Sequence, residues 1–295
     1  MMRRLPSLVL AATFLTACSK APDGGEMGNP AALELVALPT TDHLGHLARE
    51  PMIVEGSDGS LFVAGYGADM PTLWRSADGG DSWASVDVGS EADGAVGNSD
   101  VDLAVAPDGT LYFGVMSYDR QVFEGRGIAV GTSRDGGGSW SWSSLSRDRF
   151  DDRPWIEVAP DGSAHAIWND GAGVSHAVSR DRGRTWTELS RVHPSGGSSH
   201  LAIGPRGALA VRVTPFSASG NKMDPGTDGI AVSSDGGATW ELRELPGTRS
   251  WTQSFDPQDG VLRWVEPIAW DAEGALYSGC WSVSSWSVSL MVPTG

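Results

Sequence analysis

The sequence predicts an all-β fold assembled from repeated antiparallel hairpins, on the strength of two interleaved motif series and of composition. The chain of 295 residues holds 39 Gly, 17 Pro and 13 Trp. No long stretch repeats apolar residues at helical spacing, so many short strands joined by tight turns are favoured. One series is "SADGGDSW" (Ser76–Trp83), "SRDGGGSW" (Ser133–Trp140), "SRDRGRTW" (Ser179–Trp186) and "SSDGGATW" (Ser233–Trp240). The other is "GSDGSLFVAG" (Gly56–Gly65), "APDGTLYFGV" (Ala106–Val115), "APDGSAHAIW" (Ala159–Trp168), "GPRGALAVRV" (Gly204–Val213) and "DAEGALYSGC" (Asp271–Cys280).

Each member of the second series is a tight turn leading into an alternating strand, and apolar residues such as Met52-Ile53-Val54 precede it, so each is a hairpin. The hairpins recur every ~50 residues, the period of propeller blades. Each unit then reads as strand A, an Asp-Gly type turn, strand B, a longer loop, strand C, the tryptophan turn and strand D. That is a β-propeller of four-stranded antiparallel blades with five recognisable units. In the tryptophan turn, Asp78, Asp135, Asp181 and Asp235 can accept backbone N–H groups of their own turn. Gly80, Gly137, Gly183 and Gly237 can take positive φ, and Trp83, Trp140, Trp186 and Trp240 fold back into the apolar layer between sheets. These residues are structural staples.

These turns resemble the Asp-boxes, also called BNR repeats, of the sialidase-like β-propeller superfamily, and the resemblance covers residues 48 to 280. Because that superfamily includes sialidases, other glycoside hydrolases, sorting receptors and assembly factors, the resemblance implies a fold and not a reaction.

The N-terminus divides the chain further. Arg3 and Arg4 precede a short apolar run, Leu5 to Ala17, too short to span a membrane, and Leu15-Thr16-Ala17-Cys18 looks like a bacterial lipobox. Residues 1–17 are therefore expected to be a lipoprotein signal peptide and Cys18 a lipidated N-terminus. Residues 18–41 are expected to be a tether, although Leu33 to Leu38 can form one strand, and residues 42–295 are the propeller. Losing Arg3 and Arg4 with the signal takes the net charge from −16 to −18. Such acidity argues against nucleic acid and against electrostatic adhesion to anionic lipid, leaving the acyl anchor as the membrane attachment and the cell envelope as the location. Cys280 is then the sole remaining thiol, so no intrachain disulfide is expected.

Since strands alternate in direction, the A–B turns and tryptophan turns share one face. The strand A entrances and B–C loops share the other, where a ligand site is expected. The entrances carry Arg49 and Glu50, Asp100 and Asp102, Asp151, Asp152 and Arg153, His200, and Glu266. The B–C loops carry Tyr66 and Asp69, Tyr118, Asp119 and Arg120, Asn169 and Asp170, and Arg212. Acids, arginines and aromatic rings meeting at one rim suit sugar recognition. No motif suggests a metal site, and no cofactor is expected.

The sialidase resemblance implies two roles. Ala48-Arg49-Glu50-Pro51 matches the arginine and proline of the family's first-blade motif but lacks its aromatic and isoleucine, and Asp69 takes the place of the acid/base aspartate. The family's tyrosine nucleophile and remaining arginines come from late blades. Here Tyr277 sits in strand B of the fifth unit, no arginine follows Arg263, and the tail "WSVSSWSVSLMVPTG" lacks a fifth tryptophan turn. The expectation is either a truncated or frame-shifted copy of a six-bladed parent, or a smaller ring closed by Leu33–Leu38 and the tail. Binding of a glycan or a cell-surface protein is accordingly preferred, with cleavage of a terminal acidic sugar as the alternative; a tyrosine–glutamate pair facing Arg49 and Asp69 would reverse that order.

Overall fold

The computed structural model describes residues 48–66, 70–194, 196–215, 229–244, 268–282 and 285–291. Cys18, the expected leader and tether, Asp69 and Glu266 lie outside these residues.

Five antiparallel sheets follow one another along the chain. The first contains β1 (Arg49–Glu55), β2 (Leu61–Tyr66), β3 (Thr72–Ser76) and β4 (Ala84–Ser85). The second contains β5 (Val101–Val105), β6 (Leu111–Asp119), β7 (Glu124–Ser133) and β8 (Ser141–Ser146). The third contains β9 (Asp152–Val158), β10 (Ala164–Asn169), β11 (Val174–Ser179) and β12 (Thr187–Glu188). The fourth contains β13 (Gly196–Ile203), β14 (Leu209–Pro215), β15 (Gly229–Ser233) and β16 (Glu241–Glu244). The fifth contains β17 (Ile268–Trp270), β18 (Leu276–Ser282) and β19 (Ser285–Met291). Within each sheet the strands pair in chain order, and consecutive sheets meet through their first strands, β1, β5, β9, β13 and β17. This is the predicted propeller of four-stranded blades, the fifth blade showing three strands among the described residues. The unusual tail forms β19, paired to β18 from Ser282↔Ser285 to Leu276↔Met291.

Period-two alternation makes each inner strand serve two interfaces. Leu103 of β5 packs with Phe62, Leu73, Phe113 and Val115 between blades 1 and 2. Its neighbour Ala104 packs with Tyr112, Ile156 and Ala166 between blades 2 and 3. In β13, Leu201 joins Ile167, Leu209 and Val211 toward blade 3, whereas Ala202 joins Ile230, Ile268 and Leu276 toward blade 5.

The tryptophan turns are built alike. In the second, Ser133 Oγ donates to Asp135 Oδ1 at 2.8 Å and accepts the Gly137 N–H at 2.9 Å. Asp135 also accepts the Ser139 N–H and hydroxyl, and Trp140 Nε1 donates to the Gly137 carbonyl at 3.2 Å. The same Ser–Asp–Gly bonding recurs at Ser76, Ser179 and Ser233. Trp140, Trp186 and Trp240 enter the interblade layers as expected, Trp186 edge-on to Tyr112 at 6.3 Å and Trp240 edge-on to His176 at 5.5 Å, while Trp83 donates to the Gly80 carbonyl of its own turn. Side-chain hydrogen bonds from the neighbouring hydroxyl, Ser82, Ser139, Thr185 or Thr239, lead the causes that hold the four turn aspartates down at about 2. Ser133 is fully buried, so Ser133→Ala leaves the Gly137 N–H without its acceptor. The expected loss is about 1–3 kcal/mol, read as a lower denaturant midpoint, with a smaller loss for exposed Ser139→Ala.

The second, third and fourth turns also seat on the preceding blade. Gly137 abuts Phe62 of β2, Gly183 abuts Thr132 of β7, and Gly237 abuts the His176 ring of β11. His176 stacks on His165 at 5.3 Å, with Nε2 3.0 Å from His165 Nδ1, and Ser163 Oγ lies 3.0 Å from His165 Nε2. Burial pushes His165 down to about 4 and His176 to about 3. Between the ordinary histidine value and these values the unfolded chain binds protons that the folded chain refuses, so this pair costs stability as pH falls. Buried acids raised in the folded state act in the opposite sense, and a comparison isolates the pair. The wild type should lose more melting temperature between pH 6.5 and 4 than His165→Gln, by roughly 5 °C.

Candidate functional site

The strand directions bring the entrances of the inner strands and the B–C loops to one face. Blades 1 and 3 share a device there. Glu50 and Arg153, each followed by proline, have φ of 46° and 51°, and the ladders β1–β2 and β9–β10 shift register at the same places, after Arg49 and after Asp152. A bulge turns a side chain away from the regular pleat. A left-handed non-glycine residue costs about 1–2 kcal/mol, and such strain concentrates at functional sites.

The side chains so aimed form one electrostatic cluster. Burial, then the carboxylates of Asp152 and Glu50, push Asp100 up to about 6, while Arg153 opposes them. Tyr66 at the end of β2 stands opposite Arg49 in the ladder. Its phenol is pushed up to about 12 by burial, by Glu50, within hydrogen-bonding reach, and by Asp100. Arg153 Nε lies 3.9 Å from Asp152 Oδ2. The mouth therefore holds three carboxyl groups, a phenol and two guanidinium groups. Burial and like-charged carboxylates at close quarters both disfavour ionisation, so Asp100 releases its proton less readily than a free carboxyl. Deeper along the inner strands, buried Asp102 is pushed up to about 8 by desolvation, against the N–H bonds it accepts from Ile156 and Leu103. Glu157 is exposed to solvent yet hemmed in by protein, and that desolvation pushes it up to about 7.

Other rim residues are built into the scaffold. Asp119 accepts the Gln121 and Val122 N–H groups and pairs with Arg126, closing the β6–β7 turn. Asp170 accepts the Ala172 and Gly173 N–H groups and the Ser175 hydroxyl, and pairs with Arg191. Asn169 Oδ1 accepts the Ser198 N–H and hydroxyl, tying blade 3 to blade 4. Arg212 is buried and donates to Ser278 Oγ at 2.7 Å, tying blade 4 to blade 5. His200 stacks on Trp155 with centroids 4.3 Å apart. Tyr118 is half-buried, its backbone held by the Asn98 side chain. Sequence phase placed Asp100 and Tyr66 on this rim without singling them out. The charged-residue–proline pairs Glu50-Pro51 and Arg153-Pro154 were the signal of the convergence.

The opposite face carries a cavity of 370 Å³ lined by Glu55, Pro107, Val158, Pro160, Ile203 and Pro205 among others. Glu55 is its one titratable lining residue, whereas Asp100, Asp152 and Glu50 cluster on the loop face. Among the described residues no group of three or more His, Cys, Asp or Glu is arranged to hold a metal.

The sheets define a β-propeller of four-stranded antiparallel blades, a fold shared with solved propellers. The chain superposes on a protein of unknown function from Dyadobacter fermentans with a TM-score of 0.60 at 16% identity, covering 85% of this chain and 78% of that one. It also superposes on an α-L-arabinanase from Penicillium chrysogenum complexed with arabinobiose, with a TM-score of 0.55 at 17% identity over 78% of this chain and 74% of that one. A Hadza microbial sialidase gives a TM-score of 0.54 at 17% identity, over 79% of this chain and 53% of the sialidase. No protein-family model and no curated protein matches the chain.

Proposed function

We propose that the loop-face mouth binds a glycan and cleaves a glycosidic bond, on an exported propeller anchored through Cys18. The supporting observation is the burial of Asp100 beside Asp152 and Glu50, which pushes its carboxyl up to about 6 and suits it to hold a proton for transfer. Asp100 would donate its proton to the leaving oxygen, and Asp152 would act on the sugar carbon or on a water beside it. Tyr66 stands beside Arg49 with Glu50 within hydrogen-bonding reach. A phenol raised to about 12 keeps its proton at rest, so the carboxyl pair is the better acid–base couple. The half-buried rings of Tyr66 and Tyr118 support a second reading, a stacking surface that holds a sugar without cutting it.

The test uses fluorogenic glycosides of sialic acid, L-arabinofuranose and uronic acids, with Arg49→Ala as control. Turnover that falls in this variant supports hydrolysis. Saturable glycan binding without turnover by the folded wild type supports the second reading, and neither result on any sugar overturns both. Mass spectrometry of the envelope-extracted protein tests the anchor, with an unmodified Cys18 peptide as the adverse result.

A further inference from the structure

We propose that Asp102 is a positioning residue, whose buried carboxyl ties inner strands β5 and β9 together and so fixes the separation of the Asp100 and Asp152 carboxyls above it. The inference rests on the reading of the mouth as an acid–base site. β5 and β9 are the first strands of adjacent sheets, each with one ladder partner, so one edge of each carries N–H groups without a strand to receive them. Asp102 answers this across the blade boundary. Its Oδ2 accepts the Ile156 N–H of β9 at 2.8 Å, and its Oδ1 accepts the Leu103 N–H of its own strand at 2.9 Å.

The placement matters because of strand periodicity. Residues two apart share one side of a strand, so Asp102 faces blade 3 with Ala104 and Ala106, which pack with Ile156, and Asp100, which leads into β5, feels Asp152 and Arg153 of blade 3 as well as Glu50 of blade 1. On β9 the chain rises from Ile156 through Pro154 and the bulged Arg153 to Asp152. The Asp102–Ile156 bond is therefore the cross-blade tie below the Asp100–Asp152 pair. Loosening it lets the two inner strands part at the mouth, where the neighbouring Asp152 charge acts on Asp100. The carboxyl is buried and bonded on both oxygens, so it contacts no substrate and acts through the pair.

Asp102→Ala strands two N–H groups, and Asp102→Asn, which keeps one acceptor, is the informative variant. Two readouts separate this proposal from the glycosidase reading. The first is the carbon-13 titration of the Asp100 carboxyl, which needs no substrate. In Asp102→Asn its midpoint should fall from about 6 toward the ordinary carboxylate range, while the melting transition stays cooperative. The second is the pH profile of cleavage, whose alkaline limb should move down with it, kcat falling roughly tenfold with KM little changed. An Asp100 midpoint that falls in Asp102→Asn, where the wild type cleaves no glycoside, would uphold Asp102 as a positioning residue and overturn the hydrolase reading alone. An unmoved Asp100 midpoint in a folded Asp102→Asn overturns the proposal. So does an Asp102→Asn chain that does not fold, because the carboxyl then serves the whole sheet pair and not the mouth.

Discussion

Asp100→Asn should reduce glycoside cleavage by roughly 100- to 10,000-fold, with glycan binding retained and the melting temperature within a few degrees of wild type. Asn keeps the shape and one acceptor but has no proton to give. The half-buried position at the mouth of the fold makes the substitution mild for stability. The same carboxyl sets a pH limit. Its folded value is raised above the unfolded one, so its favourable protonated state is complete below the ordinary carboxylate range and is lost as pH rises through about 6. Cleavage should therefore decline above about pH 6. Glu50→Gln removes one of the charges that raise Asp100, and the alkaline limb should move toward lower pH. Initial rates from pH 4 to 8 check both results, and an Asp100→Asn enzyme of undiminished kcat would remove Asp100 from the chemistry.

Gly237→Ala should be strongly destabilising. The backbone at Gly237 has φ of +88°, and an added Cβ would run into the ring of His176 on the preceding blade. The left-handed conformation costs an L-residue about 1–2 kcal/mol, and overpacking adds about 1–3 kcal/mol. A fall in melting temperature of roughly 10 °C is expected. Gly236→Ala is the control, since φ there is +71° but the nearest contact is the end of the Arg180 side chain at 3.6 Å. It should cost the conformational part alone. Adding His176→Ala to Gly237→Ala should recover part of the loss, and strict additivity of the two would refute the clash.

The propeller was legible because its signals are local. A Ser–Asp–Gly–Trp turn satisfies its own hydrogen bonds within eight residues, and four copies in phase with the hairpins fix the strand order. Strand direction then puts Asp100, Tyr66 and Arg153 on one rim without any knowledge of contacts. The duties of individual rim residues were not legible. Asp119 and Asp170 look no different in sequence from Asp100, yet N–H groups of their own turns consume them together with Arg126 and Arg191, whose approach depends on how the chain folds. Arg212 and Asn169 read as exposed loop residues but bridge blades, because their partners Ser278 and Ser198 lie in other repeats. Interblade pairing has no periodic signature in a single chain.

The seating of the later tryptophan turns on the blade before makes the contact between neighbours one-way. Gly137, Gly183 and Gly237 each press on an earlier blade, on Phe62, Thr132 and His176 in turn. A blade therefore carries two unlike ends, a plug in its tryptophan turn and a socket in its second or third strand. A change at a socket residue must be answered in the plug of the blade that follows, so neighbouring repeats in such a chain are expected to change as pairs rather than one at a time.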